Sequence, residues 1–232
     1  MASSETVFRR LAAAYVRGRL GTAPDHPPSL QLARPLNSLD DTELDAVIAT
    51  GVESGLRLHR FKRTMELPRV RRVLGVLRGM QPESLLDIGS GRGAFLWPLL
   101  DAFPALPVTA LDRLDYRVAD LGAVRDGGVT TLTAVLGDAT ALPFADRAFD
   151  VVMALEVVEH ISDTDRALAE ICRVARRFVI ISVPSKADNN PEHIHLFDRA
   201  TLTNLLQRHG GERITSEYVL NHLIAVARMG SE

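Results

Sequence analysis

Short apolar runs separated by longer amphipathic stretches dominate the chain from residue 84 onwards. Runs of about five apolar residues predict buried strands of a parallel sheet, because such strands are covered on both faces. The strands predicted in this way are Leu85–Ile88, Pro107–Leu111, Thr130–Leu136, Phe149–Leu155 and Arg177–Val183. The alternation of these runs with helical patterns indicates an α/β fold with a doubly wound, mostly parallel sheet.

The stretches between and after these runs carry apolar residues at helical spacing. The predicted helices are Ala94–Phe103, Leu114–Arg125, Asp163–Val174 and Thr201–Arg208. Residues 184–198 form a polar, irregular stretch that predicts a loop. The chain then continues with two apolar runs around a tight turn, Ile214–Val219 and His222–Ala227, which predict a terminal β-hairpin.

Residues 1–80 have a different pattern and predict a helical extension ahead of the sheet. A helix over Thr6–Leu20 is followed at residues 22–36 by an arm with four prolines, which neither helices nor interior strands tolerate. Ser38 predicts the N-cap of a second helix, and Pro68–Arg78 predicts a third. The expected organisation is an extension over residues 1–80 and one α/β domain over residues 81–232.

The most specific local pattern runs from Leu85 to Gly93, where an apolar run meets glycines at three alternate positions. Glycine is needed where φ is positive, or where backbone must approach a ligand without an intervening Cβ. A strand, a glycine loop and a helix in succession present backbone N–H groups to a nucleotide. The spacing G-x-G-x-G differs from the dinucleotide fingerprint G-x-G-x-x-G, and no G-x-x-x-x-G-K-[ST] phosphate loop occurs.

With Asp87 two residues ahead of Gly89, this stretch resembles the first motif of the class I S-adenosylmethionine (SAM)-dependent methyltransferases. The resemblance covers about residues 84–228, including the Gly-Asp-Ala segment at 137–139 and the Glu-Val-Val-Glu-His segment at 156–160. It implies SAM as cofactor and a seven-stranded sheet in the order 3-2-1-4-5-7-6 that ends in an antiparallel hairpin. The cofactor-binding residues that it implies are Asp87, Gly89, Ser90, Gly91, Gly93, Asp112, Arg113, Asp138, Ala139, Leu155 and Glu156.

Two of these carboxylates have distinct predicted roles. Asp112 ends the second strand, where a carboxylate can accept hydrogen bonds from both ribose hydroxyls. The resemblance assigns Asp138 to the adenine amino group, with the backbone N–H of Ala139 nearby. Either aspartate alone suits a turn, whereas both together, at these offsets behind the glycine loop, favour a cofactor site.

Proton-accepting side chains follow in two later segments. Transfer of a methyl group from a sulfonium to an oxygen needs alignment and the removal of a proton. His160, His195 and Glu159 are the predicted catalytic residues, and Glu156 and His193 are further candidates for the proton. If the segment after the fourth strand is helical, Glu156, Glu159 and His160 share one face.

Those three side chains, met by His195 from the loop, would form a site for Mg²⁺ or another divalent metal. Similar Glu-x-x-Glu-His segments serve metal-dependent O-methyltransferases, and they are also common in family members without a known metal. Metal-ligand, general-base and structural or substrate-positioning roles therefore all stay open for these residues.

Charge is unevenly distributed along the chain, whose net charge is −2. Residues 1–80 hold 13 Lys/Arg against 8 Asp/Glu, and residues 81–232 hold 14 against 21. The basic residues between Arg57 and Arg72 suit an anionic substrate or RNA phosphates, and equally the solvated faces of two helices. A single cysteine, Cys172, excludes an internal disulfide, and no apolar run is long enough to span a membrane.

The leading hypothesis is a cytoplasmic SAM-dependent methyltransferase that acts on a small molecule at oxygen, with a homodimer through the N-terminal helices. One alternative is an RNA ribose 2′-O-methyltransferase with a metal-assisted Glu/Glu/His/His site. The 12 aromatic residues, mostly in apolar runs, offer few platforms for stacking single-stranded bases. The other alternative is a protein that binds SAM without catalysis.

Overall fold

The computed structural model describes residues 7–21, 29–63, 67–187 and 189–230. A seven-stranded sheet lies at its centre, with an apolar core on each face. The helices in the described residues are α1 (Arg9–Leu20), α2 (Asp41–Glu53), α3 (Pro68–Met80), α4 (Leu96–Ala102), α5 (Asp115–Asp126), α6 (Thr164–Val174) and α7 (Arg199–Arg208). The strands are β1 (Leu85–Ile88), β2 (Val108–Asp112), β3 (Leu132–Leu136), β4 (Phe149–Leu155), β5 (Ala175–Pro184), β6 (Gly211–Val219) and β7 (His222–Met229).

The sheet has the order β3-β2-β1-β4-β5-β7-β6, which confirms the predicted fold class and topology. Strands β1 to β5 are parallel, and β7 is antiparallel to both β5 and β6. The carboxyl ends of the parallel strands therefore share one edge, which is where ligands bind in open α/β sheets. Because β7 runs the other way, it begins at that edge: His222 pairs with Pro184 at the end of β5.

Element boundaries agree with the predicted ones to within a few residues, apart from two local differences. Ser38 is not the N-cap of α2; Asp40 is, because its side chain accepts from Glu43 N at 2.8 Å while Asp40 N donates to the Glu43 carboxylate at 3.0 Å. This reciprocal capping box satisfies two donors at once. The helix after the glycine loop begins only at Leu96. Thr6 of the predicted first helix and residues 22–28 of the predicted proline arm lie outside the described residues.

Helix α1 packs directly against α5, and two glycines make this close approach possible. A Cβ built on Gly18 would lie 1.9 Å from the carbonyl oxygen of Ala123, and one built on Gly127 would lie 1.7 Å from that of Ala14. Backbone therefore meets backbone where a larger residue would force the segments apart. The extension and the sheet domain share one apolar core, since residues of α1, α2 and α3 pack with residues of β1, β2 and α4.

A buried carboxylate on α5 forms ion pairs and a hydrogen bond with the N-terminal extension. Asp120 accepts from Tyr15 Oη at 3.0 Å and Arg19 Nη2 at 2.6 Å, and Arg60 Nη1 forms an ion pair with it. Arg60 thus faces inward, although the basic stretch that contains it also suits a solvated face. Two guanidinium groups and a hydroxyl stabilise this carboxylate in its low-dielectric position. None of the described helices is long and apolar enough to cross a bilayer.

Candidate active site

The glycine loop between β1 and α4 adopts a conformation that only glycine accommodates without strain. Gly89, Gly91 and Gly93 have φ values of 69°, 57° and 80°, in the left-handed region. A Cβ on Gly89 would lie 2.6 Å from the side chain of Val157, and one on Gly93 would lie 2.1 Å from the Trp97 ring. The three predicted glycine positions therefore hold a tight turn against the carboxyl edge of the sheet.

Asp87 lies in β1 beneath this loop and is buried. Its carboxylate accepts a hydrogen bond from Ser90 Oγ at 2.8 Å. Burial raises the pKa of Asp87 to about 7; the nearby charge of Asp112 adds to the rise, and the Ser90 hydrogen bond works against it. The group therefore titrates near neutral pH, in the cleft where a cationic ligand would stabilise its charged form.

Asp112 ends β2 beside the loop and is also buried. Its carboxylate accepts from Gly91 N and from Leu114 N, each at 3.0 Å. Arg117, in the first turn of α5, forms an ion pair with it at 3.3 Å. The backbone of two loops thus orients this carboxylate, at the position predicted for a ribose ligand.

Asp138 follows β3 and is exposed. Its Oδ1 accepts from the backbone N and the hydroxyl of Thr140, both at 2.7 Å, and these bonds lower the pKa of Asp138. Arg113 is exposed and adds a weaker electrostatic lowering of the same pKa, while Ala139 is buried in the core. Along the sheet order, the predicted adenine, ribose and loop residues therefore follow β3, β2 and β1 in turn.

Glu156 directly follows β4 and has a left-handed backbone with φ of 58°. Its carboxylate accepts from the Ser182 hydroxyl and forms an ion pair with His222 Nε2 at 3.2 Å. Burial raises the pKa of Glu156, but the bonds from His222 and Ser182 and the charge of Arg69 outweigh it, so the pKa lies below its usual value. Glu156 is therefore an ionised group on the cofactor side of the edge.

The predicted helix face of Glu156, Glu159 and His160 is wrong. Only Val158–His160 forms a 3₁₀ turn, and the left-handed Glu156 in front of it sends that side chain to Ser182 and His222 instead. The ligand-type atoms that do lie together, within 4.8 Å of one another, belong to Glu159, His160 and His193. Glu156 and His195 are not in this group.

The loop after β5 is attached to the 3₁₀ turn by its backbone. Ile194 N and His195 N donate to the carbonyl oxygen of Glu159 at 3.0 and 3.2 Å, and His160 Nδ1 contacts Glu192 O at 2.8 Å. Because a carbonyl only accepts, Nδ1 of His160 carries a proton, and Nε2 lies 4.0 Å from Glu159 Oε1. In the described part of the chain, His195 Nε2 is buried and has no hydrogen-bond partner.

A cleft joins the glycine loop to the ends of β4 and β5 beneath α3. Acidic and basic side chains line it together: Asp87 and Glu156 on the sheet, Arg69 on α3 and Arg92 in the loop. Leu155, Ser90 and the glycines Gly89 and Gly91 complete much of the wall. Such mixed charge suits a zwitterionic ligand.

Four of the residues at this edge were missed by sequence reasoning: Arg69, Arg117, Ser182 and His222. Arg69 belongs to the basic stretch between Arg57 and Arg72, and no motif marks the others. Arg117 carries a weak signal, since it lies only five residues after Asp112. The partners of Ser182 and His222 are separated from them by 26 or more residues, so the sequence has no local signal for them.

The central part of the chain is similar to known methyltransferases. The family profile for a methyltransferase domain matches residues 86–181. A malonyl-[acyl-carrier protein] O-methyltransferase of Methylococcus capsulatus is 37% identical over 98 residues, which are 42% of this chain and 35% of that protein. A demethylmenaquinone methyltransferase of Thermobifida fusca is 47% identical over 98 residues, 40% of this chain and 39% of that protein.

The chain thus spans about two fifths of the length of these relatives. Among solved structures, a SAM-dependent methyltransferase from Aquifex aeolicus shares the fold with a TM-score of 0.57 and 19% identity, over 72% of this chain and 92% of that one. Residues 86–181 of this chain thus match a methyltransferase domain, and the chain shares its α/β fold with that solved SAM-dependent methyltransferase.

Proposed function

We propose that the protein binds SAM and transfers its methyl group to a small-molecule acceptor at oxygen. The observation that carries this proposal is the series of aspartates along the carboxyl edge around a left-handed glycine loop. Asp87 and Asp112 lie in β1 and β2, and Asp138 follows β3; these three strands are neighbours in the sheet. Relatives that act on malonyl-[acyl-carrier protein] and demethylmenaquinone support methyl transfer, the first of them at oxygen.

An extended cofactor lies across these strands in our proposal. Adenine is held by Asp138 and Ala139 N, and the ribose hydroxyls donate to Asp112, whose carboxylate is oriented by Gly91 N and Leu114 N. The amino-acid end then reaches the cleft at β1 and β4. There, Arg69 and Arg92 suit its carboxylate, and Glu156 suits its ammonium.

The acceptor approaches the methyl group from the opposite side to the sulfur. Its oxygen forms the new C–O bond while the S–C bond breaks, and the electron pair of that bond stays on sulfur. The acceptor proton passes to a base on the protein, for which His160 and His195 are the candidates. Alignment of the two reactants is the protein's main contribution, worth roughly 7–11 kcal/mol.

We also propose a divalent-metal site, with the ligand set Glu159, His160 and His193. The arrangement fits the chemistry of such a site, because His160 donates Nδ1–H to a carbonyl and presents Nε2, as metal-bound histidines commonly do. A divalent ion there would lower the pKa of an acceptor hydroxyl. His195 is a neighbour rather than a ligand in this proposal.

We further propose how the chain is divided and where it acts. Residues 1–80 serve as an extension to a SAM-binding domain over residues 81–232, and the protein acts in the cytoplasm. Helix α1 buries its apolar face inside the chain, so a homodimer through the N-terminal helices would use exposed residues such as Val52 on α2. RNA as acceptor predicts that binding weakens steeply with salt, and a small neutral acceptor predicts little salt dependence.

Calorimetric titration with SAM and S-adenosylhomocysteine tests the proposal first. We expect micromolar binding of both ligands, and methyl transfer from labelled SAM to an acceptor in a panel that includes malonyl-[acyl-carrier protein] and a demethylmenaquinol. Binding without transfer to any acceptor would favour the non-catalytic alternative. Absence of binding would overturn the proposal.

A further inference from the structure

Glu156 is held in a costly conformation at the cofactor cleft. Glu156 has a φ of 58°, in the left-handed region where the Cβ of a residue other than glycine lies too close to the following carbonyl oxygen. Such strain persists where the surroundings over-determine it, and it occurs often at ligand sites. Here, Glu156 N donates to Ser182 O at 2.8 Å, and the Ser182 hydroxyl donates to the Glu156 carboxylate. One residue of β5 thus fixes both the backbone and the side chain of Glu156.

The second group on this carboxylate comes from β7. His222 is the first residue of that strand, and it reaches the carboxyl edge only because β7 is antiparallel to its neighbours. Its Nε2 lies 3.2 Å from Glu156 Oε2, while Ser182 occupies Oε1. Since an ionised carboxylate only accepts, His222 donates from Nε2. Each oxygen of Glu156 therefore has its own donor on a separate strand.

We propose that His222 and Ser182 are positioning residues that aim the Glu156 carboxylate at the ammonium group of the methionine part of SAM. This inference rests on the proposed function and adds the residues that prepare the amino-acid end of its site. Glu156 lines the cleft with Asp87, and the basic Arg69 and Arg92 lie on the same cleft. Holding the carboxylate in place before binding lowers the cost of ordering it when the ligand arrives.

The test compares two ligands that differ in the amino-acid end. SAM carries the ammonium and the carboxylate, whereas 5′-methylthioadenosine has the same adenosine part and neither of these groups. Calorimetric titration of the full chain with each ligand therefore measures how much the amino-acid end contributes to the affinity. We expect His222→Ala to weaken SAM about tenfold or more, the usual effect of losing a charge-assisted hydrogen bond, and to leave 5′-methylthioadenosine within about twofold.

Two further variants separate positioning from structure. His222→Gln retains an N–H donor, so we expect it to restore most of the SAM affinity. Glu156→Gln removes the charge at nearly constant volume, so it should reproduce the selective loss even if His222→Ala does not fold. His209→Ala is the matched control, because His209 pairs with Asp165 at 3.1 Å away from the cleft; it should change neither affinity.

Each outcome decides the inference. If these variants lose equal affinity for SAM and for 5′-methylthioadenosine, the pair does not serve the ammonium group and the inference is overturned. Unchanged SAM affinity in both His222→Ala and Glu156→Gln would overturn the inference as well. If the unmodified protein binds neither ligand, the proposed function itself fails. If it binds both ligands equally well, the function stands and the inference alone is wrong, because the methionine end then contributes nothing.

Discussion

The carboxyl edge of the sheet has two halves that are built in different ways. On the half formed by β1, β2 and β3, the site consists of a glycine loop and of aspartates oriented by backbone N–H groups from nearby segments. On the half formed by β4, β5 and β7, side chains from distant segments orient one another, as Ser182 and His222 do around Glu156. The first half, which we call the backbone half, therefore depends on the conformation of the main chain. The second, which we call the side-chain half, depends on individual side chains.

The largest effect is expected in the backbone half. Gly89→Ala adds a Cβ 2.6 Å from Val157 at a φ of 69°, so the loop must move. Strain and overlap of this kind cost about 3 kcal/mol together, which corresponds to a loss of SAM affinity of about 100-fold. Gly75→Ala is the matched control, because a Cβ there meets nothing within 4 Å. If both variants bind SAM normally in a calorimetric titration, the loop is not part of the cofactor site.

A somewhat smaller loss is expected at the predicted ribose ligand. Asp112→Ala removes the acceptor of two hydroxyl hydrogen bonds, and we expect SAM affinity to fall about 30-fold while the fold persists. Circular dichroism and calorimetry check the two parts of this expectation. Asp150→Asn is a suitable comparison, since Asp150 is buried at the opposite edge and pairs with Arg176 and Arg177. It should lower stability and spare SAM binding, and an unchanged affinity in Asp112→Ala would remove Asp112 from the ribose.

The side-chain half is probed by Mn²⁺ titration of the full chain, with the metal alone as ligand. His193→Ala should weaken Mn²⁺ binding about tenfold by removing one of three ligands, whereas His195→Ala should leave it unchanged. With an acceptor in hand, His195→Ala should reduce turnover more than SAM affinity. Full activity of that variant would exclude His195 as the base, and equal Mn²⁺ binding by all variants would exclude the proposed ligand set.

The smallest effect on cofactor binding is a pH dependence that arises from Asp87 in the backbone half. The pKa of Asp87 is raised to about 7, so between about pH 4 and pH 7 the folded protein keeps a proton that the unfolded chain has lost. The contribution of this group to stability therefore falls as pH rises through that window. Asp87→Asn should flatten this decline in urea unfolding measured from pH 4 to 8, and parallel curves would contradict the shift.

The affinity for SAM should also depend on pH through Asp87. A cationic ligand stabilises the ionised Asp87, so SAM affinity should rise a few-fold from pH 6 to pH 8, with release of a proton on binding. Calorimetry in buffers of different ionisation enthalpy measures that proton, and Asp87→Asn should abolish it.

The backbone half was also the half that the sequence predicted in detail. The positive φ values of Gly89, Gly91 and Gly93 follow from a contiguous motif, and Asp87 and Asp112 lie at strand ends that apolar runs define. The pairing of His222 with Glu156 depends on the register of a hairpin against β5, which a single sequence does not specify. The left-handed turn at Glu156, which broke the expected helix face, likewise arises from tertiary contacts with β5 and β7 rather than from local preference.

Helix α5 connects the carboxyl edge of the sheet to the N-terminal extension, and this connection matters for protein engineering. Along this helix, Arg117 reaches Asp112 at the cofactor edge, and Asp120, less than one turn later, receives Tyr15 and Arg19 from α1 and Arg60 from the segment before α3. A fragment trimmed to residues 86–181 would keep Asp87, the glycine loop, Asp112 and Asp138, yet it would expose the Asp120 carboxylate and the closely packed face around Ala123. Cutting the chain at residues 86 and 181 would thus destabilise the helix that carries Arg117, and a shortened version of this fold needs α1 and the segment around Arg60 to hold α5 in place.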